Sequence, residues 1–201
     1  MNRKQILVTG ASRGIGKACA IHFAKEGWHV FLNCSKSISE LQATADFITK
    51  ETSGSCEILP GDVGVPSEVG RIFDQIEMSG SGLDVLINNA GIAWMGLLTD
   101  MSIEEWNQMI STNLSSAFYC CRAALPKELA PSNIQVNAIA CGVIDTVMND
   151  LLDAEEKAAL AEEIPAGRFG TPEEVALLAW QLANAPAYLT GQILGMDGGY
   201  I

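Results

Sequence analysis

The chain has 201 residues, of which 48% are hydrophobic, and its 24 acidic against 12 basic residues give a formal net charge of -12 at pH 7. This length and composition predict a folded domain with a substantial core, and the negative charge argues against a nucleic-acid backbone or an anionic membrane as partner. The N-terminal apolar run is too short for a signal peptide, no run reaches a membrane span, and the six cysteines form no metal or disulfide pattern. We therefore expect a cytoplasmic protein with reduced thiols and no metal site.

Apolar runs alternate with amphipathic stretches from the beginning of the chain. This rhythm predicts a parallel sheet with helices on both faces. In the first half, strands are predicted at 5–10, 28–34, 56–61 and 82–91, and helices at 14–26, 38–50 and 66–78.

The second half begins with a long predicted helix. Ser102 and Glu105 form a capping-box pattern at its start, and Leu125, which precedes Pro126, is expected to end it. A strand is predicted at 134–142, two further helices begin at capping patterns, Asp153 with Glu156 and Thr171 with Glu174, and a short strand at 191–199 follows. Because neither a repeat nor a linker interrupts the chain, we expect one domain over residues 1–201.

Three glycines, Gly10, Gly14 and Gly16, lie between the first predicted strand and the first helix in LVTGASRGIGKA. Such glycines permit a tight turn, close approach of the backbone to a pyrophosphate and close helix–strand packing, while the helix N-terminus presents N–H groups to the anion. The pattern predicts a dinucleotide site, and a purely structural turn is the alternative.

The G-x-x-x-G-x-G spacing resembles that of the short-chain dehydrogenase/reductase family, and similar motifs recur along almost the whole chain. NNAG at 88–91 is similar to the family motif after the fourth strand, and Asn113 in STNLSSAF matches the family's helix asparagine. VNAIACGVIDTVM resembles the sixth-strand motif, with Cys141 where a proline is usual, and GRFGTPEEVA and TGQILGMDGG resemble the C-terminal segments. Within the family, the greatest likeness is to NADPH-dependent beta-ketoacyl-acyl-carrier-protein reductases.

The resemblance implies a Rossmann-type doubly wound parallel sheet in a three-layer α/β/α arrangement. It also implies that Asn113 is a catalytic residue, which supports a lysine through a water, and that Asp62 contacts the adenine. The full set of residues implied to bind the cofactor is Gly10, Ser12, Arg13, Gly14, Ile15, Gly16, Asn33, Ser35, Asp62, Val63, Asn89, Ala90, Gly91, Gly142, Ile144 and Thr146.

The end of the second predicted strand favours NADP(H) over NAD(H). A carboxylate at this position would hydrogen-bond the ribose 2′-hydroxyl and repel a 2′-phosphate. This chain instead has Asn33, Cys34, Ser35 and Lys36, with Arg13 available in the glycine loop. The alternative is that Arg13 and Lys36 are solvated surface cations.

The sequence lacks the motif whose residues transfer the proton in members of this family. Family members use a tyrosine as proton donor, a lysine four residues later that holds the ribose, and a serine that orients the carbonyl. None of Tyr119, Tyr188 and Tyr200 is followed four positions later by a lysine. AALP runs directly into KELAPSNIQVN, so roughly forty residues of the family pattern are missing, enough for a strand–loop–helix unit.

We therefore expect the chain to lack the fifth family strand and most of the catalytic helix. Either the sheet pairs again around this loss, or the working polypeptide contains a segment that this sequence does not. In the second case the resemblance implies an NADP(H)-dependent oxidoreductase that reduces a carbonyl, such as a beta-ketoacyl thioester of fatty acid biosynthesis. An acyl carrier protein and a homo-oligomer, a tetramer or dimer, would be its partners. The alternative is a catalytically silent nucleotide-binding pseudo-enzyme or a regulatory partner subunit.

Overall fold

The computed structural model describes residues 3–80, 82–124, 134–150 and 152–200. Strands and helices alternate through the first half, as the sequence pattern predicts. The strands are β1 (Gln5–Val8), β2 (His29–Leu32), β3 (Ser55–Ile58) and β4 (Val85–Ile87), and the helices are α1 (Gly14–Lys25), α2 (Ile38–Glu51) and α3 (Pro66–Met78).

The long predicted helix of the second half is present in three consecutive parts: α4 (Ile103–Ile110), a π-helical turn (Ser111–Ser115) and α5 (Ser116–Ala124). Its predicted end, at Leu125 before Pro126, lies outside the described residues. The remaining strands and α-helices are β5 (Ala138–Cys141), α6 (Ala154–Glu163), α7 (Pro172–Ala183) and β6 (Ile193–Met196). None of the described helices is long and apolar enough to cross a membrane.

Three helices begin at the capping boxes that the sequence predicts. At α4, α6 and α7 the N-cap side chain accepts a hydrogen bond from the backbone N–H three residues later, and the glutamate there accepts one from the N-cap N–H. Each box satisfies two backbone donors that a helix start otherwise leaves without a partner.

The strands form two parallel sheets. Four strands pair in the order β3-β2-β1-β4, and β5 pairs with β6 in a separate sheet of two. The three-layer α/β/α class is confirmed, and in the part of the chain that the structure describes no strand joins β4 to β5. Among the described residues, β4 and β5 therefore do not pair with each other across the place of the missing strand–loop–helix unit.

The two central strands of the larger sheet, β1 and β2, are almost entirely buried, which is why they read as apolar runs. Ile6 and Val8 of β1 point to one face, where they pack with α1, α2 and α7, while Leu7 points to the other face, toward α3 and α5. All three side chains are 0% exposed. Helix α7 also contacts β5 and packs along α1, and it thereby attaches the small sheet to the large one.

Candidate dinucleotide site

The turn between β1 and α1 has the backbone geometry that the three glycines predict. Gly10 and Gly14 have φ values of 66° and 54°, in the left-handed region that side chains disfavour. A Cβ atom at Gly16 would lie 2.3 Å from the carbonyl oxygen of Gly10. The turn and the first turn of α1 therefore pack too closely for any other residue at Gly16.

The N-terminus of α1 has no side-chain cap. Its N-cap residue, Arg13, is extended and exposed, and its side chain makes no capping hydrogen bond. Ser12 is buried, whereas Gly14 and Ile15 are half-buried at the start of the helix. The first N–H groups of α1 thus have no side-chain acceptor, which is the arrangement that binds a phosphate group. The residues present fit a dinucleotide pyrophosphate.

Thr9 and Asn89 connect this turn to the loop that follows β4. The Thr9 hydroxyl accepts hydrogen bonds from the N–H groups of Asn89 at 2.9 Å and Ala90 at 3.0 Å, and donates one to the Ile87 carbonyl at 3.2 Å. The Asn89 amide in turn donates to the carbonyl oxygens of Thr9 and Gly10 at 2.9 and 3.2 Å. Two loops at the carboxyl edge of the sheet are therefore fixed to each other, at the edge where open α/β sheets bind ligands.

Asn113 holds the next part of the β4 loop. Its side chain lies on the π-helical turn, where Oδ1 accepts a hydrogen bond from the Ile92 N–H and Nδ2 donates to the Ile92 carbonyl, each at 2.8 Å. Gly91, which is exposed, directly precedes this contact. Single π-helical turns occur frequently at functional sites, and here the turn places Asn113 against the predicted cofactor loop.

The loop after β5 reaches the glycine turn from the other side. A Cβ atom built on Gly14 would lie 3.4 Å from Cγ2 of Thr146, so the two loops are in contact. Ile144 is buried beneath this loop, and Gly142 donates to the Met196 carbonyl at 3.0 Å, so that it is held against the end of β6. The structure thus brings the predicted residues of the β5 loop to the predicted phosphate site.

The loop after β3 contains the predicted adenine-binding residue. The Asp62 carboxylate accepts a hydrogen bond from the Gly64 N–H at 2.8 Å and is half-buried, and its own N–H donates to Glu68 at 2.8 Å. Val63 is buried in the core beneath α3 and α5. Asp62 is therefore oriented by its loop, whereas the Val63 side chain contributes to packing.

The side chain of Asn33, one of the predicted cofactor-binding residues, is buried beneath the predicted site. It is 1% exposed, and its amide donates to the carbonyl oxygens of Leu59 and Gly61 at 2.9 and 3.0 Å. The side chain connects the end of β2 to the loop after β3, because those two carbonyls need a donor. The exposed side chains at this end of β2 are Ser35 and Lys36.

The three tyrosines lie apart from this cluster. Tyr119 packs edge-on against Phe118 in α5, Tyr188 is 99% exposed, and the Tyr200 hydroxyl donates to Glu163 at 3.4 Å. No described contact joins any of them to Asn113. Within the described residues the site therefore contains the predicted cofactor-binding loops but no tyrosine–lysine pair for proton transfer.

The cysteines are free, and burial suppresses the reactivity of two of them. All six cysteines are free thiols, and burial raises the pKa of Cys19 to about 12 and that of Cys120 to about 11, which keeps both protonated. Over the described ranges, no three His, Cys, Asp or Glu side chains are placed to hold a metal ion.

Thr9 connects the two loops of the predicted site, a role that its sequence position alone does not reveal. A threonine at the end of a strand, directly before the first glycine, was the available signal, since its hydroxyl can accept two hydrogen bonds while it donates one. The partner residues lie about 80 positions away, so the spacing of the motif alone does not reveal the contact.

Two family models cover the chain. Residues 4–127 match the short chain dehydrogenase model, and residues 125–201 match the model described as enoyl-(acyl carrier protein) reductase. The chain is 31% identical to the 3-oxoacyl-(acyl-carrier-protein) reductase of Staphylococcus aureus and 32% identical to that of Thermotoga maritima. These alignments cover 98% of this chain and 97% and 98% of the two relatives.

Solved structures agree with these matches. A short chain dehydrogenase of Burkholderia cenocepacia, solved in complex with NADP, superimposes with a TM-score of 0.88 at 26% identity, and the match covers 99% of each chain. The cofactor of that structure agrees with the NADP(H) predicted from Arg13, Ser35 and Lys36.

The alignment with the Staphylococcus aureus relative also measures what this chain lacks. It runs over 240 positions, whereas 98% of 201 residues is about 197, so about 43 positions of the alignment have no residue in this chain. The two family models meet at residues 125–127, which is where the sequence analysis locates the missing segment.

Proposed function

Since this chain belongs to the short-chain dehydrogenase family, whose members are NAD(P)-dependent oxidoreductases, we propose that it uses NADP(H) to reduce the carbonyl of a 3-oxoacyl thioester to a hydroxyl group. The relatives named above are reductases of 3-oxoacyl groups on an acyl carrier protein. The same substrate class is proposed for this chain, with an acyl carrier protein as the partner that presents it.

One observation supports the part of this proposal that concerns cofactor binding. The N-terminus of α1 has no side-chain cap, and Thr9 and Asn89 hold the adjoining glycine turn against the loop after β4. The pyrophosphate would bind at this N-terminus, and Arg13 and Lys36 would hold the 2′-phosphate through charge-assisted hydrogen bonds. When bound, NADPH supplies a hydride. The loop held by Asn113 would form one wall for the nicotinamide.

The proton must come from elsewhere, because the sequence contains no Tyr-x-x-x-Lys. The family resemblance assigns the proton donor to a serine, tyrosine and lysine segment, and the Staphylococcus aureus relative has about 43 aligned positions that this chain lacks. Reduction by this protein therefore depends on such a segment being present in the working assembly.

That observation favours a second candidate function for the 201-residue chain by itself. A chain that binds NADPH and has no proton donor would act as a catalytically silent, nucleotide-binding partner of an active reductase. The two candidates share the cofactor site and differ only in turnover.

Two measurements test the proposal and separate the candidates. Titration with NADPH, followed by nucleotide fluorescence, is expected to give saturable binding that is tighter than NADH binding. Consumption of NADPH with acetoacetyl-coenzyme A, combined with the intact mass of the same preparation, then distinguishes the two. Turnover by a species heavier than 21.4 kDa supports the reductase, and NADPH binding without turnover at 21.4 kDa supports the silent partner. Absence of NADPH binding by the folded protein contradicts both.

Oligomer formation is proposed through the long helix. Ile103, Trp106, Leu114 and Phe118 of α4, the π-helical turn and α5 are 51–70% exposed, although they are large and apolar. An apolar face of this kind is typical of an association surface. Light scattering of the wild type and of Trp106→Glu tests this: a dimer or tetramer that the substitution dissociates is expected, and a wild-type monomer would contradict the proposal.

A further inference from the structure

Two strand edges in this fold carry backbone groups without a ladder partner among the described residues. In a β-strand the N–H and C=O groups of one residue point to one side, and those of the next residue point to the opposite side. The Ile87 carbonyl accepts from Thr9, so Ile87 faces β1 and Leu86 faces away from it. On β5, Ala138 donates to the Gln192 carbonyl beside β6, so Ile139 faces away from β6.

Both edges belong to parallel sheets that α7 holds together. β4 pairs with β1, β5 pairs with β6, and no described strand pairs with the second edge of either. The superposition on the Burkholderia cenocepacia dehydrogenase, with a TM-score of 0.88, covers 99% of each chain and therefore spans both sheets. The Leu86 edge and the Ile139 edge are thus the two ends of an interrupted sheet.

One face of the small sheet also lacks a helix within the described part of the chain. Along β5 and β6 the half-buried residues Ile139, Leu194 and Met196 alternate with exposed ones, as expected for a sheet covered on one face only. Helix α7 contacts β5, and the half-buried side chains mark the face that it lies against. The uncovered face consists of Ala138, Ala140, Ile193 and Gly195, and Ile193 is 77% exposed. The equivalent face of the large sheet is covered by α3 and α5.

The missing parts are therefore one strand and one helix, and the relatives indicate their size. A parallel strand with its following helix and connections requires on the order of thirty residues or more, and about 43 aligned positions of the Staphylococcus aureus reductase have no residue here. The small residues Ala138, Ala140 and Gly195 leave room for a helix to pack closely on the uncovered face.

We propose that this chain takes up a strand–helix segment from a second polypeptide, a short-chain reductase, by strand addition. The added strand lies between β4 and β5, parallel to both, and pairs with the Leu86 and Ile139 backbone groups, while its helix covers Ala138, Ala140, Ile193 and Gly195. Main-chain hydrogen bonds supply affinity and the apolar face supplies specificity. Only one consequence rests on the proposed function, namely that the added segment restores reduction of the carbonyl.

The probe is the stretch of the Thermotoga maritima reductase that aligns opposite the gap, prepared as a fluorescently labelled peptide. Titration into the wild-type chain is expected to give saturable anisotropy, whereas a scrambled peptide does not bind. Hydrogen exchange of the complex is expected to slow at the Leu86 and Ile139 amides. Equal binding of the scrambled peptide, or protection elsewhere but not at these two amides, would overturn the proposal.

Two matched substitutions locate the helix. Ala140→Glu adds a charge to a residue that is exposed in the free chain and that the added helix would bury, so peptide affinity is expected to fall about tenfold or more. Ala187→Glu adds the same charge at an exposed turn and is expected to leave affinity unchanged. Equal affinities of the two variants would refute the assignment of this face.

Two further results would overturn the proposal. If the free chain unfolds without cooperativity, the peptide must restore a cooperative transition, and failure to do so overturns the proposal. The second result is that the chain binds no peptide but associates with itself, and that Ala140→Glu abolishes this self-association. A second copy of the chain would then cover the face, and the proposal would be wrong. NADPH binding by the chain alone tests the proposed function separately, because it does not require the peptide.

Discussion

The side-chain amide of Asn113 forms two hydrogen bonds with the backbone of Ile92, one as donor and one as acceptor, each 2.8 Å long. An amide that matches both groups of one peptide residue fixes the loop in a single position. The long helix thus determines where the loop after β4 lies, although Asn113 and Ile92 are 21 residues apart.

Asn113→Leu tests this connection. Loss of two hydrogen bonds is expected to lower the free energy of unfolding by about 1–2 kcal/mol and to weaken NADPH binding, because the loop then has no fixed position beside the glycine turn. Asn107→Leu on the exposed surface of α4 is the matched control, since its side chain has no hydrogen bond among the described residues. Urea unfolding and NADPH titration of both variants provide the measurements. Identical NADPH affinity of the two would contradict a role for the Asn113 contact in the site.

Gly16→Ala tests the close packing of the glycine turn. The new methyl group would lie 2.3 Å from the Gly10 carbonyl oxygen and 2.5 Å from the Asn89 amide, so the turn must move away from α1. We expect loss of most NADPH binding and a lower melting temperature.

Gly70→Ala in α3 is the control for the backbone effect of removing a glycine. No atom other than the backbone of its own helix and its chain neighbours lies within 4 Å of the added Cβ, and alanine is favoured over glycine inside a helix by about 0.5–1 kcal/mol. This variant is expected to be slightly more stable than the wild type and to bind NADPH normally. Equal effects of the two substitutions would show that the turn is not tightly packed.

Arg13→Ala and Lys36→Ala test the choice between NADP(H) and NAD(H). Each exposed cation is expected to contribute a charge-assisted hydrogen bond to the 2′-phosphate, and a bond of about 1.5–3 kcal/mol corresponds to roughly a tenfold to hundredfold loss of NADPH affinity. NADH affinity should change little because NADH has no 2′-phosphate. Lys50→Ala, in the last turn of α2, is the control cation. If NADH and NADPH affinities fall together, these residues do not read the 2′-phosphate.

Local patterns in the sequence predicted most of this structure. The capping boxes at Ser102, Asp153 and Thr171 need only residues three positions apart, and all three are present. The orientation of Asn33 could not be predicted, because its amide donates to carbonyl oxygens 26 and 28 residues away. The missing strand between β4 and β5 is expected only from the family resemblance. Each of the two strands has an ordinary apolar sequence, and nothing in that sequence shows that a neighbour is absent.

The acid sensitivity of the fold should depend on Glu174. Arg168 donates to both carboxylate oxygens of Glu174, at 2.7 and 2.9 Å, and the Thr171 N–H donates at 2.8 Å. These contacts, those of Arg168 first, lower the pKa of Glu174 from 4.5 to about 2. The folded-state pKa lies below the unfolded one, so the contribution to stability is fully present above pH 4.5 and is lost as the pH falls from there toward 2.

Glu174→Gln removes this titration. The variant is expected to be less stable than the wild type at pH 7, and the difference between the two should shrink progressively below pH 4.5. The effect is expected to be modest because the side chains of Arg168 and Glu174 are 58% and 39% exposed, so that solvent screens the ion pair. Glu173→Gln, one residue earlier in the same helical turn and without a described ion pair, is the control. Urea unfolding at a series of pH values measures all three proteins. If the stability difference between the wild type and Glu174→Gln stays constant as the pH is lowered from 4.5 to about 2, the Arg168 contact does not form in solution.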